Sequence, residues 1–179
     1  LGQVASLSMI VAMGLVIRQE LSTFTAIFIA VAVGVCFGLI NGILVTRARI
    51  PSLICTIGTG AAAVGVNYAY AKGDSIYGRL PGSFSFIGQG FVGPIPFSVL
   101  LSVLILAVLY FFLNHTRPGR YIIATGGNRT AARLSGLKTS KYCMISLIIS
   151  AVCSTIGGVM LAAYLGAGQP QGGEPYTMD

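Results

Sequence analysis

Five long stretches of the chain contain no charged residue and are dominated by apolar side chains. They are residues 1–17, 24–46, 50–71, 97–114 and 142–166. A helix needs about 20 apolar residues to cross a hydrocarbon core of about 30 Å, and a charge at its centre costs roughly 2.5–3.5 kcal/mol. The runs within these stretches do not alternate between polar and apolar residues, as the strands of a β-barrel would. The pattern predicts an all-α polytopic membrane bundle with about five transmembrane helices.

The composition supports a membrane protein. Only 8% of the 179 residues are charged, with 11 Lys and Arg and 4 Asp and Glu, whereas a soluble domain carries about 25%. The chain starts in an apolar run without Met, and no basic residue precedes Arg18, so the first stretch lacks the basic region of a signal peptide. We expect residues 1–179 to be one transmembrane domain that is truncated at both ends.

The charges outside the apolar stretches predict an orientation. If the helices alternate in direction, the connections 47–49 and 115–141 lie on one side and carry eight basic residues and no acid. The other side carries three basic residues and all four acids. The positive-inside rule therefore makes 115–141 a cytoplasmic loop and 72–96 an extracytoplasmic loop. Insertion and contact with lipid head groups account for the net charge of +7, and we expect no binding of nucleic acid.

The second and third apolar stretches carry two different patterns. Gly34, Gly38 and Gly42 lie four residues apart and predict a face for close helix packing. The third stretch begins with Pro51 in its first turn and contains small and polar residues. Because polar side chains in a membrane helix either bond to other helices or line a wet path, Thr56, Thr59 and Asn67 are candidates for a translocation pathway. Hydrogen bonding between helices is an equal alternative for these three side chains.

The extracytoplasmic loop 72–96 is rich in glycine, proline and aromatic residues. Loops of this length are usually functional or disordered, and the aromatic rings favour the membrane interface. Within it, residues 83–87 are predicted to form a short extended piece. The loop is a candidate contact surface for a partner outside the membrane.

No motif for catalysis or cofactor binding is present. The four cysteines lie in apolar stretches without a C-x-x-C spacing, His115 is the single histidine, and residues 125–128 lack a phosphate-loop pattern. No acid, base or histidine lies within the five stretches, which disfavours a proton relay or ion-coupled carrier. We predict a transport subunit that is not an enzyme, with no cofactor and no metal site.

The loop 115–141 contains a predicted helix of two turns. Asn128 is a favoured N-cap, residues 129–135 are compatible with a helix, and Gly136 followed by Leu137 is typical of a left-handed C-terminal cap. So short a helix is unstable by itself in water. Small residues at 131 and 132 and an apolar anchor at Leu134 favour its insertion into a groove on another protein. A linker helix lying on lipid head groups is the alternative.

Four segments resemble a known family, the permease subunits of bacterial ABC importers for monosaccharides of the ribose, xylose and galactoside type, within the larger branched-chain amino acid and sugar permease family. The segments are Asn41-Gly-Ile-Leu-Val-Thr, Ile50-Pro-Ser-Leu-Ile-Cys-Thr-Ile-Gly-Thr, Gly119-Arg-Tyr-Ile-Ile-Ala-Thr-Gly-Gly-Asn-Arg-Thr-Ala-Ala-Arg-Leu-Ser-Gly-Leu and Gly166-Ala-Gly-Gln-Pro-Gln-Gly-Gly-Glu-Pro-Tyr-Thr-Met-Asp. The chain departs from the family at Met178, where Leu is usual, and at 129–130, where an acidic residue is common.

The resemblance implies a multi-pass protein of the bacterial inner membrane that imports a monosaccharide. Its implied partners are a cytoplasmic ATP-binding subunit, a second permease subunit that is identical or different, and an extracytoplasmic sugar-binding protein. The resemblance implies ATPase coupling through Gly127, Asn128, Ala131, Ala132, Arg133, Leu134, Ser135 and Gly136. A permease for amino acids or nucleosides is the alternative within the family, and an ion-coupled secondary carrier is a further one.

Overall fold

The computed structural model describes residues 2–78 and 80–173. Arg79, Glu174 and Asp179, which the orientation argument used, lie outside the described residues, as does the end of the fourth family segment. The elements, in chain order, are α1 (Gly2–Arg18), α2 (Thr23–Thr46), α3 (Ser52–Ala71), β1 (Ile76–Tyr77), α4 (Gly82–Gln89), β2 (Phe91–Val92), β3 (Ile95–Pro96), α5 (Phe97–His115), α6 (Arg117–Gly127), α7 (Arg129–Leu134), α8 (Thr139–Leu165) and β4 (Ala167–Gly168).

The prediction of an all-α membrane bundle is confirmed. Four helices, α2, α3, α5 and α8, are long and apolar enough to cross a membrane, and α1 is a shorter apolar helix of 17 residues. The predicted boundaries agree with these helices to within three residues at most ends. Pro51 lies one position before α3 rather than inside its first turn, where its missing N–H likewise costs no helical hydrogen bond.

The core is built around α1. Its side chains Leu7, Met9, Ile10 and Met13 are almost fully buried. Phe84 of α4 belongs to the same hydrophobic cluster as Met9, Ile10 and Met13. By contrast, α5 has no buried residue among its 19. The bundle therefore encloses α1 and leaves α5 on its outside.

The glycine face predicted in α2 is confirmed, and its partner is α8. A Cβ atom at Gly38 would lie 2.9 Å from the Cα atom of Ile148, and one at Gly42 would lie 2.6 Å from the side chain of Met144. Gly34 faces Thr155 in the same way. Since positions rise along α2 as they fall along α8, the two helices are antiparallel.

The two ends of the bundle differ in structure. The end that carries β1, α4 and β4 is called the strand end, and the opposite end, with α6 and α7, is called the basic end. At the strand end, β1 pairs antiparallel with β4, with Ile76 opposite Gly168. The loop 72–96 thus lies at the same end as the chain that follows α8.

The predicted extended piece at residues 83–87 is wrong, because these residues belong to α4. Phe84 is fully buried in the core, Gly88 lies against the backbone of Ala163 and Tyr164, and the Gln89 side chain donates a hydrogen bond to the Tyr164 carbonyl at 2.9 Å. In the helix, Phe84 and Gly88 lie one turn apart on the face that packs into the bundle, and both are buried. Tertiary packing overrides the local pattern here.

The loop 115–141 contains a helix that the sequence analysis did not predict. The turn into α6 is formed by Thr116, whose hydroxyl oxygen accepts from the Gly119 N–H at 3.2 Å, with Pro118 in the first turn. Threonine as N-cap followed by such a proline is a known start signal. The short helix predicted after Asn128 therefore does not stand alone in the loop, since α7 follows α6 after the single residue Asn128.

Candidate functional site

The short helix α7 is capped at its start by Asn128. The Asn128 side-chain oxygen accepts a hydrogen bond from the Ala131 N–H at 2.9 Å, as predicted for an N-cap. The Asn128 backbone N–H also donates to the Ala124 carbonyl of α6 at 3.2 Å. One residue thus ends α6 and begins α7, which fixes the direction of the short helix relative to the longer one.

The end of α7 is closed by a Schellman motif. Gly136 has a φ of +79°, its N–H donates to the Arg133 carbonyl at 3.0 Å, and the Leu137 N–H donates to the Ala132 carbonyl at 3.1 Å. These are the two bonds that define the motif. The predicted left-handed cap at Gly136 is confirmed, and the helix ends one residue before Ser135.

Most of the predicted coupling residues lie on the surface of the basic end. Leu134 is 85% exposed although it is a large apolar side chain, whereas Ala132 is buried against its own chain. The other predicted coupling residues are exposed: Gly127, Asn128, Ala131, Arg133, Ser135 and Gly136. An isolated apolar side chain at the tip of a basic, rigidly capped helix is suited to insertion into a cleft of a partner.

The three polar residues predicted for a pathway are not brought together. Thr56 donates to the Leu53 carbonyl of its own helix at 3.0 Å, and Thr59 donates to the Asn41 side chain of α2 at 2.7 Å. Asn67 is fully buried two turns further along α3, and its Nδ2 donates to the Pro170 carbonyl at 3.1 Å. Thr59 and Asn67 therefore hydrogen-bond to other parts of the bundle. Such bonding was the alternative to a role in a translocation pathway.

The chain after α8 turns back into the bundle. Residues 166–173, called the re-entrant segment, begin with Gly166 at a φ of +66°. A Cβ atom at Gly168 would lie 3.0 Å from the Met13 Cβ atom, and the Gly173 N–H donates to the Ser6 hydroxyl at 2.8 Å. The segment therefore runs along α1 from Met13 to Ser6. At 1.5 Å per helical residue, this is an advance of about 10 Å from the strand end toward the basic end.

A cavity of about 620 Å³ lies where the re-entrant segment ends. It separates α5 from α1 and α8. The hydroxyl-bearing residues of its wall are Ser98 and Ser102 of α5 and Ser150, Ser154 and Tyr164 of α8. The rest of the wall is mainly apolar or glycine, and includes Gly173 of the re-entrant segment. Sequence reasoning missed this cavity. Its signal was the repeated spacing of four residues between serines in two otherwise apolar helices, which places the hydroxyls on one face.

Within the part of the chain that the structure describes, no three His, Cys, Asp or Glu side chains come together in a way that could hold a metal ion. The surfaces that remain as candidate functional sites are therefore the exposed face of α7 and the cavity with its adjoining re-entrant segment.

Comparison with known proteins identifies relatives along the whole chain. The family described as the permease component of the branched-chain amino acid transport system matches residues 1–179. The chain is 33% identical to the D-allose transport system permease protein AlsC of Escherichia coli over 172 residues, which cover 96% of this chain and 52% of that protein. No solved structure matches the chain.

Two other relatives are identical to the chain at a similar percentage of positions. The chain is 30% identical to the ribose import permease protein RbsC of Haemophilus influenzae, with 89% of this chain and 50% of that protein covered. It is 31% identical to the galactose/methyl galactoside import permease protein MglC of Salmonella typhimurium, with 86% and 47% covered. The chain spans about half the length of these relatives. The resemblance inferred from four sequence segments is thus confirmed: the chain belongs to the family of permease components of branched-chain amino acid transport systems.

Proposed function

We propose that the chain forms part of the permease subunit of an ATP-driven importer that moves a monosaccharide across the bacterial inner membrane. The observation that carries this proposal is α7, a capped, basic helix whose exposed tip residue is Leu134. Among the residues that the structure describes, the Leu134 side chain packs against little of its own chain. A cleft on a separate ATP-binding subunit would bury that anchor.

The proposed orientation places the basic end in the cytoplasm. Residues 115–141 carry six basic side chains and no acid, which the positive-inside rule assigns to the cytoplasmic side. The same side is where ATP is available. The strand end, with loop 72–96 and α4, would then face outward and receive a solute-binding protein.

A neutral, hydroxyl-rich solute fits the interior better than an ion. The five apolar stretches contain no acid, base or histidine, and four serines contribute hydroxyl groups to the otherwise mainly apolar wall of the cavity between α5 and α8. Hydroxyl groups of the protein can exchange hydrogen bonds with those of a sugar as it passes. The curated relatives carry ribose, allose and galactoside in their names, which supports the same solute class.

Affinity purification of the tagged full-length permease from its native membranes in mild detergent tests the proposal. Mass spectrometry should find a nucleotide-binding subunit, and with it a second permease subunit that is identical or different. A solitary permease that is active without any ATPase would contradict the proposal. A channel or secondary carrier would then be the better account.

Replacement of Asn128 by alanine is expected to weaken that association. Loss of an N-cap costs about 0.5–2 kcal/mol, and α7 has only six residues with which to offset the loss. We expect roughly a two- to thirtyfold lower affinity for the ATPase subunit, measured by surface plasmon resonance in detergent. Asn128→Asp and Asn128→Ser, which keep an oxygen acceptor, should retain most of the affinity; equal affinity of the alanine variant would contradict the role of the cap.

A further inference from the structure

The loop 72–96 has two parts that differ in charge. Residues 72–79 include a lysine, an aspartate and an arginine, whereas residues 80–116 contain no Asp, Glu, Lys or Arg. The uncharged part contains α4, the strand pair of β2 and β3, and α5. Residues 90–96, called the apolar hairpin, read Gly-Phe-Val-Gly-Pro-Ile-Pro and carry no polar side chain. The apolar hairpin therefore offers neither a charge nor a side-chain hydrogen bond to water or to a partner.

The apolar hairpin has a defined structure and a fixed position at the strand end of α5. Val92 of β2 pairs with Ile95 of β3, and Gly93 in the turn between them has a φ of +64°. The Gly90 carbonyl accepts a hydrogen bond from the Phe97 N–H at 2.8 Å, which joins the hairpin to the first residue of α5. The hairpin is therefore held in place by backbone bonds at both of its ends.

The apolar side chains of the hairpin are exposed. Phe91, Val92 and Ile95 have exposed fractions of 65%, 50% and 43%. Their surface adjoins that of α5, where Val99 and Val103 are exposed as well and no residue is buried. A contiguous exposed apolar surface marks contact with a membrane or with another protein.

The length of α5 places the hairpin at the edge of the hydrocarbon core. The 19 residues of α5 span about 28 Å at 1.5 Å each, close to the thickness of about 30 Å of that core. Arg117 is the first charged residue beyond the basic end of α5. With that end at one boundary of the core, Phe97 lies at the other boundary and the hairpin lies just outside it. The hydrated interface can satisfy the unpaired backbone groups at the edges of so short a strand pair, whereas hydrocarbon cannot.

We propose that the apolar hairpin is an interfacial anchor and that its partner is the lipid leaflet at the strand end. Phe91 lies among the head groups and the upper acyl chains, where aromatic rings are favoured. A soluble partner fits this surface poorly, because a transient protein interface is about as polar as the rest of a protein surface. The inference goes beyond the proposed function and does not depend on it. It leaves residues 72–79 and α4 available to a solute-binding protein.

Tryptophan fluorescence tests the anchor, because residues 1–179 contain no tryptophan. In a full-length permease whose remaining tryptophans are replaced by phenylalanine, Phe91→Trp reports on the hairpin. The matched control is Tyr77→Trp, an aromatic position in the charged part of the loop with an exposed fraction of 64%. Both variants are reconstituted in phosphatidylcholine vesicles, with or without bromine on the acyl chains, and iodide is then added on both sides of the membrane.

We expect brominated lipid to lower the emission of the Phe91→Trp variant by roughly a factor of two more than that of the control, since the anchor holds residue 91 in the interface. Iodide, which stays in water, should quench the control more strongly. Three results would overturn the anchor: equal quenching of the two variants by brominated lipid, stronger quenching of the Phe91→Trp variant by iodide than of the control, or protection of that variant from both quenchers, which would mean that protein covers the hairpin.

Addition of the proposed sugar-binding protein distinguishes a protein partner from lipid. The anchor predicts that quenching of the Phe91→Trp variant by brominated lipid stays unchanged when this protein is added. Loss of that quenching would overturn the anchor and assign the hairpin to the soluble partner. Because sugar uptake is not measured, failure of the anchor leaves the proposed function untouched.

Discussion

Replacement of Leu134 by aspartate should separate the permease from the proposed ATPase subunit while leaving the permease folded. Leu134 is 85% exposed, so the substitution removes little packing within the chain. Full burial of a leucine in a partner's cleft is worth about 1.5–3 kcal/mol, and a buried, unpaired carboxylate adds a penalty of its own. We expect binding of the ATPase subunit to weaken more than tenfold and ATP-driven uptake to fall in proportion, measured by pull-down and in proteoliposomes.

The conservative variant Leu134→Met provides the control. Methionine keeps the apolar volume and should retain binding within about threefold. The unfolding temperature of both variants in detergent should match that of the parent, because the side chain contacts little of its own chain. Normal coupling in the aspartate variant would show that α7 does not dock through its tip, and the linker-helix alternative would then be favoured.

Replacement of Gly158 by valine should destabilise the bundle more than any other single change considered. Gly158 of α8 lies against the Ala5 carbonyl and the Ser8 hydroxyl of α1, so a side chain there meets backbone that cannot move aside. Overpacking of this kind costs about 1–3 kcal/mol or more. We expect the unfolding midpoint in detergent to fall by roughly 5–10 °C, on the scale of about 2–4 °C per kcal/mol.

The neighbouring residue offers a matched control. Gly157 has no atom within 4 Å of the position that a Cβ atom would take, and Gly157→Val carries the same change in helix propensity. Its unfolding midpoint should lie within about 2 °C of the parent. A similar loss in both variants would mean that propensity, rather than the contact between α1 and α8, sets the stability of this crossing.

The features that depend on local chemistry were predictable from the sequence. The charged residues mark where the long apolar helices begin and end. Asn128 and Gly136 determine the two ends of α7 through caps that involve only near neighbours. The glycines of α2 were predictable as a packing face for the same reason. Their partner was not, because nothing in the sequence of α2 specifies which helix lies against it.

The features that depend on distant contacts were missed. The helical conformation of α4 follows from burial of Phe84 beneath the end of α8. The path of the re-entrant segment follows from Asn67, which is 103 positions away from Pro170. The composition of a glycine-rich segment after a long apolar helix is the same as that of a surface loop. Only the assembled bundle distinguishes a segment that leaves the membrane from one that turns back into it.

The most direct test of the account is ATP-dependent uptake in proteoliposomes. The full-length permease is reconstituted with the proposed ATPase subunit, and the proposed sugar-binding protein is supplied on the opposite side. Uptake of labelled ribose, allose and galactose is then followed. The account predicts accumulation of at least one of these sugars that requires both ATP hydrolysis and the binding protein. Accumulation driven by an ion gradient, or passage without the ATPase, would contradict it.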